Sequence, residues 1–116
     1  MISIESEERP WGQYFVIHNE PSYKLKRIEV NPGERLSYQY HLKRSETWTI
    51  VEGKGKIVLN GIEKEYIKGE TIIISQGVKH RIQNTSNEKL VFIEVQTGTY
   101  FGEDDIVRIY DDYSRK

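Results

Sequence analysis

Gln39, His41, Glu46 and His80 are of the residue types that hold a divalent cation. They fall in two glycine-bounded stretches, GERLSYQYHLKRSETWTIVEG over 33–53 and GETIIISQGVKHRIQN over 69–84. Gln39 and His41 are two apart in an alternating run, so on a strand their side chains leave the same face. Glu46 follows a short basic turn, 42–45, at the start of the next strand, and His80 comes from a distant segment. One amide oxygen, two imidazoles and one carboxylate make a mixed N/O metal site. Each residue alone has an ordinary reading: a strand Gln is usually solvated, and a lone His is usually structural. The joint spacing, with glycines at both ends of both stretches, makes the set a site for one divalent ion. Such ligation admits zinc first, and also manganese, iron, cobalt or nickel.

The elements that must position these residues read as short strands. Alternating or apolar runs cover 13–18, 23–30, 36–41, 46–52, 54–59, 62–67, 71–75, 80–84 and 90–97, with turn residues between them. Asn60-Gly61 is a type I′ hairpin pair. Lys43-Arg44 is read as a turn, and the three isoleucines in 71–75 as a strand buried on both faces. Trp48, Ile50, Ile72, Ile74 and Phe92 are core residues. No segment before residue 100 has a sustained helical period, which predicts an all-β sandwich or barrel. Any helix is expected near the ends. Residues 1–8 are expected to be loosely ordered, and 111–116 to form a mobile tail.

At 116 residues the chain is read as a single domain over 1–116. A net charge of -1 argues against nucleic acid as a partner. There is no cysteine, so thiolate metal sites and disulfides are excluded. The start, MISIESEERPWG, lacks the apolar core of a secretory signal. No apolar run approaches the roughly 18–20 residues of a membrane span. No membrane partner and a cytoplasmic location are expected.

The two glycine-bounded stretches resemble the paired motifs of the cupin superfamily, with Gln39 in place of the first motif histidine. That resemblance implies a jelly-roll β-barrel, two sheets in Greek-key connection. A narrower resemblance rests on Arg9-Pro10-Trp11-Gly12, YKLKRI over 23–28, Pro32-Gly33, Leu36-Ser37, Arg44-Ser45-Glu46 with Trp48, His80-Arg81, IEVQ over 93–96 and GEDDIVR over 102–108. Together these look like the type II phosphomannose isomerases, domains usually fused behind a mannose-1-phosphate guanylyltransferase. The match runs from Arg9 to about Arg115. The chain departs from the family pattern at Leu42, Lys43 and Thr47, where histidines are frequent, and at Ser75, where proline is common. A Gln-x-His pair like Gln39 and His41 is familiar in the family.

The resemblance implies interconversion of mannose 6-phosphate and fructose 6-phosphate, with a phosphorylated sugar as partner. That chemistry asks for a base between C1 and C2, an electrophile for the enediolate and cations for the phosphate. Arg44 and Arg81 lead as phosphate or sugar contacts because both adjoin proposed ligands. Lys24, Lys26 and Lys43 are weaker candidates that also fit a solvated basic face. Spacing assigns no general base; Glu94 is one candidate and Lys43 another. Asp104-Asp105 reads as a cap, salt bridge or subunit contact rather than a second metal site. A homodimer is expected, covering sheet edges with help from 9–12. The other readings are a cupin of another reaction class, such as an oxygenase, and a non-catalytic sugar or metabolite sensor.

Overall fold

A computed structural model describes residues 3–113. Its elements are β1 (Glu5–Arg9), β2 (Gly12–Asn19), β3 (Tyr23–Val30), β4 (Tyr38–Tyr40), β5 (Arg44–Glu52), β6 (Lys54–Leu59), β7 (Ile62–Ile67), β8 (Thr71–Ile74), β9 (His80–Gln83), β10 (Leu90–Gly98) and β11 (Val107–Tyr110). Among the described residues there is no helix, and so none long and apolar enough to cross a membrane. One sheet has the order β1-β2-β3-β10-β5-β8, the other β11-β4-β9-β6-β7. Neighbours far apart in sequence, such as β3 beside β10 and β4 beside β9, are Greek-key crossovers. The all-β jelly roll expected from strand rhythm and resemblance is the fold observed.

Period-2 patterning builds it. Along β3 every second residue is buried, from Lys24 to Val30, and β5 alternates in the same way from Arg44 to Ile50. The inner faces meet in a core of Trp48, Ile50, Ile57, Ile74, Ile82 and Phe92, among others. Asn60 (φ 46°) and Gly61 (φ 83°) adopt the left-handed conformations of the expected hairpin turn between β6 and β7. Gly98 ends β10 opposite Arg44, where a Cβ would lie 2.3 Å from the Lys43 carbonyl oxygen. Only glycine allows that approach, which brings the first turn of β5 against β10.

Several expectations are corrected. Glu5–Arg9 is not loose: it pairs in full register with β2. Its charged ESEER sequence suits an edge strand, which alternation of apolar residues cannot reveal. Of the tail, Asp112 is ion-paired to Arg35 at 2.7 Å and Tyr113 packs on the core, so 111–113 is tied down; the rest of that segment lies outside the described residues. The 71–75 run is not buried on both faces. Ile72 and Ile74 are inside, but Ile73 is 71% exposed, because β8 is a sheet edge with one covered face. Arg44 is not in a turn but is the first, buried residue of β5. β11 has no counterpart in the expected strands; it completes the edge beside β4.

Candidate functional site

One cavity opens between the two sheets. Gln39, His41, Arg44, Glu46, Trp48, His80 and Glu94 all line it. Gln39 and His41 point inward from β4 and the residue after it, as two-residue spacing requires. The β4–β9 pairing sets Gln39 directly against His80. Glu46 arrives from the opposite sheet on β5. The four sequence-derived ligands therefore face the same space.

The histidines are oriented from behind. His41 Nδ1 lies 2.6 Å from the Asp105 carbonyl oxygen and His80 Nδ1 lies 2.9 Å from that of Val78. A carbonyl only accepts, so each Nδ1 carries the proton and each Nε2 keeps its lone pair. Those lone pairs face Glu46: His41 Nε2 is 3.3 Å from Oε2, and His80 Nε2 is 3.8 Å from Oε1. One ligand atom from each of the three residues lies within 4.8 Å of the others. Tetrahedral ligands at roughly 2.1 Å from an ion would be about 3.4 Å apart, so the donor set fits a divalent cation. Backbone-anchored imidazoles are the usual support of such ligands. Gln39 donates its amide to Ser37 Oγ at 3.0 Å, so Oε1 is the atom it could offer to an ion.

Electrostatics agree with that role. Burial, then the Arg44 charge and His80, push the His41 pKa down to about 4. Burial also lowers His80. Both imidazoles are therefore neutral at pH 7, the form that coordinates metal. Arg44 supplies a positive charge to the cluster: its Nε donates to Glu46 Oε2 at 2.8 Å, and its Nη2 approaches His41 Nε2 at 3.4 Å.

Glu94 sits beside this cluster. Trp48 Nε1 donates to both Glu46 Oε1 and Glu94 Oε1, each at 3.0 Å, so two carboxyl groups share one indole N–H. Burial, with the Glu46 charge added, raises the Glu94 pKa to about 7, against the opposing pull of Lys26 and Arg44. Gln96 Nε2 holds the other Glu94 oxygen at 2.7 Å. The Gln96 Oε1 atom is buried without a hydrogen-bond partner among the described residues.

Of the proposed substrate contacts, Arg44 and Lys26 line the cavity and Arg81 does not. Arg81 follows His80 on β9, so alternation turns it to the outer face. There Nε donates to the Leu36 carbonyl at 2.8 Å and the guanidinium lies 3.8 Å from Asp112. Adjacency to a ligand in sequence was the wrong criterion on a strand. Lys43 is also outside, exposed with Nζ above the Tyr100 ring. Lys24 and Lys26 are buried, not solvated.

Sequence reasoning missed three supporting residues. Asp105 positions His41 through its carbonyl and caps the Leu42 and Lys43 amides through its carboxylate. The GEDDIVR run marked it as a cap, but its partner lay far away in sequence. Trp48 was read only as core, yet its indole bridges two carboxyls. Glu103 reaches the cavity from the same 101–106 segment.

The sequence profile of the family described as mannose-6-phosphate isomerase C-terminal matches residues 4–111. A mannose-1-phosphate guanylyltransferase of Salmonella montevideo is 47% identical over 107 residues, 92% of this chain and 23% of that protein. The xanthan biosynthesis protein XanB of Xanthomonas campestris pv. campestris strain B100 is 41% identical over the same shares of the two chains. The chain thus spans under a quarter of the length of these relatives. Among solved structures, the capsular polysaccharide assembling protein CapF of Staphylococcus aureus superposes with a TM-score of 0.83 at 20% identity, covering 95% of this chain and 33% of that one. A double-stranded β-helix protein of Klebsiella pneumoniae gives 0.72 at 21% identity, over 81% of this chain and 80% of that one. At such identities these structures establish the fold alone.

Proposed function

The chain belongs to the mannose-6-phosphate isomerase C-terminal family, and from that premise we propose that it is a metal-dependent aldose–ketose isomerase interconverting mannose 6-phosphate and fructose 6-phosphate. The observation that supports this most is the convergence, in one cavity, of His41, Glu46 and His80 with a carboxyl, Glu94, poised near neutrality. A divalent cation held by those three residues, with Gln39 alongside, would polarise the carbonyl of the open-chain sugar as a Lewis acid. Zinc heads the candidates for N/O ligation, with manganese, iron, cobalt and nickel behind it.

The remaining work falls to side chains. Glu94 takes the proton from C2, leaving its electron pair in the enediolate, and returns it to C1, while the hydroxyl proton passes between O2 and O1. A pKa of about 7 suits that exchange, since both forms are populated at neutral pH. Trp48 and Gln96 fix the carboxyl in place. Arg44 balances the Glu46 charge beside the developing oxyanion.

The test is turnover of mannose 6-phosphate in D₂O by the metal-loaded chain, with deuterium uptake at C2 and C1 followed by NMR. Glu94→Gln is expected to lose at least about 100-fold in kcat while retaining metal. Absence of exchange and turnover in the loaded wild-type chain overturns the isomerase reading.

A further inference from the structure

β3 places two lysines on its inward face. Lys24 is 5% exposed and Lys26 is 4% exposed, at positions where the same strand otherwise buries Ile28 and Val30. Both approach a single carboxylate. Lys26 Nζ is ion-paired to Glu103 Oε1, and Lys24 Nζ lies 3.7 Å from the same oxygen. Lys24 also donates to the Phe101 carbonyl at 3.3 Å. Buried charges are costly unless they are compensated, and Glu103 is the carboxylate that ion-pairs both lysines. Burial and then repulsion from Lys26 lower the Lys24 pKa, against the opposing pull of Glu103 and Glu5.

Glu103 is the most exposed member of the trio. Its side chain is 36% exposed, on the irregular segment between β10 and β11. The far end of that segment is fixed: Asp105 caps β5 and holds His41. The end carrying Glu103 is held by the lysines and by Arg44, which reaches the Gly102 carbonyl at 3.4 Å. The segment also walls the cavity, whose volume is about 70 Å³.

We propose that Lys26, at the cavity wall, and Lys24 behind it form a phosphate subsite, and that Glu103 occupies it internally until a phosphate monoester displaces it. The inference rests on the isomerase reading only for the identity of the sugar. A phosphate monoester carries about −1.5 to −2 charges at neutral pH, a closer match to two ammonium groups than one carboxylate is. Its arrival releases Glu103 from the two lysines.

Calorimetric titration of the metal-loaded chain with inorganic phosphate, mannose 6-phosphate and mannose tests this. Glu103→Gln removes the internal competitor, and both phosphate ligands are expected to bind about tenfold more tightly, with mannose unchanged. Lys26→Met keeps the aliphatic stem and is expected to weaken both phosphate ligands at least about tenfold. Should Lys26→Met fail to fold in a thermal melt, Glu103→Gln decides alone. Phosphate affinity unaltered by Glu103→Gln overturns the proposal, as does wild-type affinity in folded Lys26→Met. Mannose 6-phosphate held through Lys26 without turnover upholds the subsite and sinks the isomerase reading. Turnover with KM unmoved in both variants does the reverse.

Discussion

The inner face of the six-stranded sheet holds two environments built on one backbone pattern. Towards one end, Ile28, Phe92 and Ile50 lie side by side across β3, β10 and β5. Two residues along, the row is Lys26, Glu94, Trp48 and Ile72, and two further it is Lys24, Gln96, Glu46 and Ile74. All three rows point inward and all are buried. The first row contributes transfer free energy and dense packing. The other two bury charge, which costs stability unless it is paired. Trp48 divides the two environments, with its ring 4.6 Å from Phe92 by centroid and its indole N–H on the carboxyls. This fold gains its stability at one end of the barrel and loses some of it at the other.

Substitutions at the two ends should separate stability from binding. Phe92→Ala, in the apolar row, should cost about 4 kcal/mol of stability by urea denaturation, with metal affinity of the folded fraction kept. A comparable loss of metal affinity would show that the two ends are not separable.

Glu94 gives a pH signature of nearly the same size. Its folded pKa, about 7, is raised, so the folded chain binds the proton more tightly than the unfolded one. Its effect on stability is then absent below the unfolded value near 4.5 and grows unfavourable as pH rises through 7. The stability of Glu94→Gln relative to wild type, in metal-free protein, should therefore increase by about 3 kcal/mol between pH 4 and pH 8. A difference independent of pH would place Glu94 in a wetter environment. His41 acts with the opposite sign: its folded pKa, about 4, is lowered, so its contribution is present above 6.5 and lost as pH falls towards 4.

His80→Ala should lower metal affinity more than about 100-fold, close to 3 kcal/mol by titration with zinc. Gln39→Ala should do less, roughly tenfold or under, because water can replace a neutral amide oxygen. Equal losses in the two variants would put Gln39 on a par with the histidines.

Much of this was legible along the chain. Alternation and turn chemistry located nine of the strands, because a strand with one buried face must repeat every two residues. The pair Gln39 and His41 shared a face for the same reason, and the fold brings Glu46 and His80 to the same cavity. What escaped was whatever depended on the partner across space. Glu5–Arg9 and Val107–Tyr110 lie on sheet edges, where no strong periodic pattern is demanded. Arg81 was misplaced because nearness in sequence to His80 means opposite faces on a strand.

The sequence by itself determined the all-β architecture, the donor types that line the cavity and the absence of thiolate chemistry, since these follow from local periodicity and residue identity. Only the tertiary structure decided that Asp105 orients His41, that Glu94 and Glu46 share one N–H, and that Glu103 lies on two buried lysines. The Lys26–Glu103 and His41–Asp105 contacts join residues 77 and 64 positions apart. No local rule specifies such pairs; they exist because the crossover topology folds distant segments over one cavity, where burial makes each charge seek a partner.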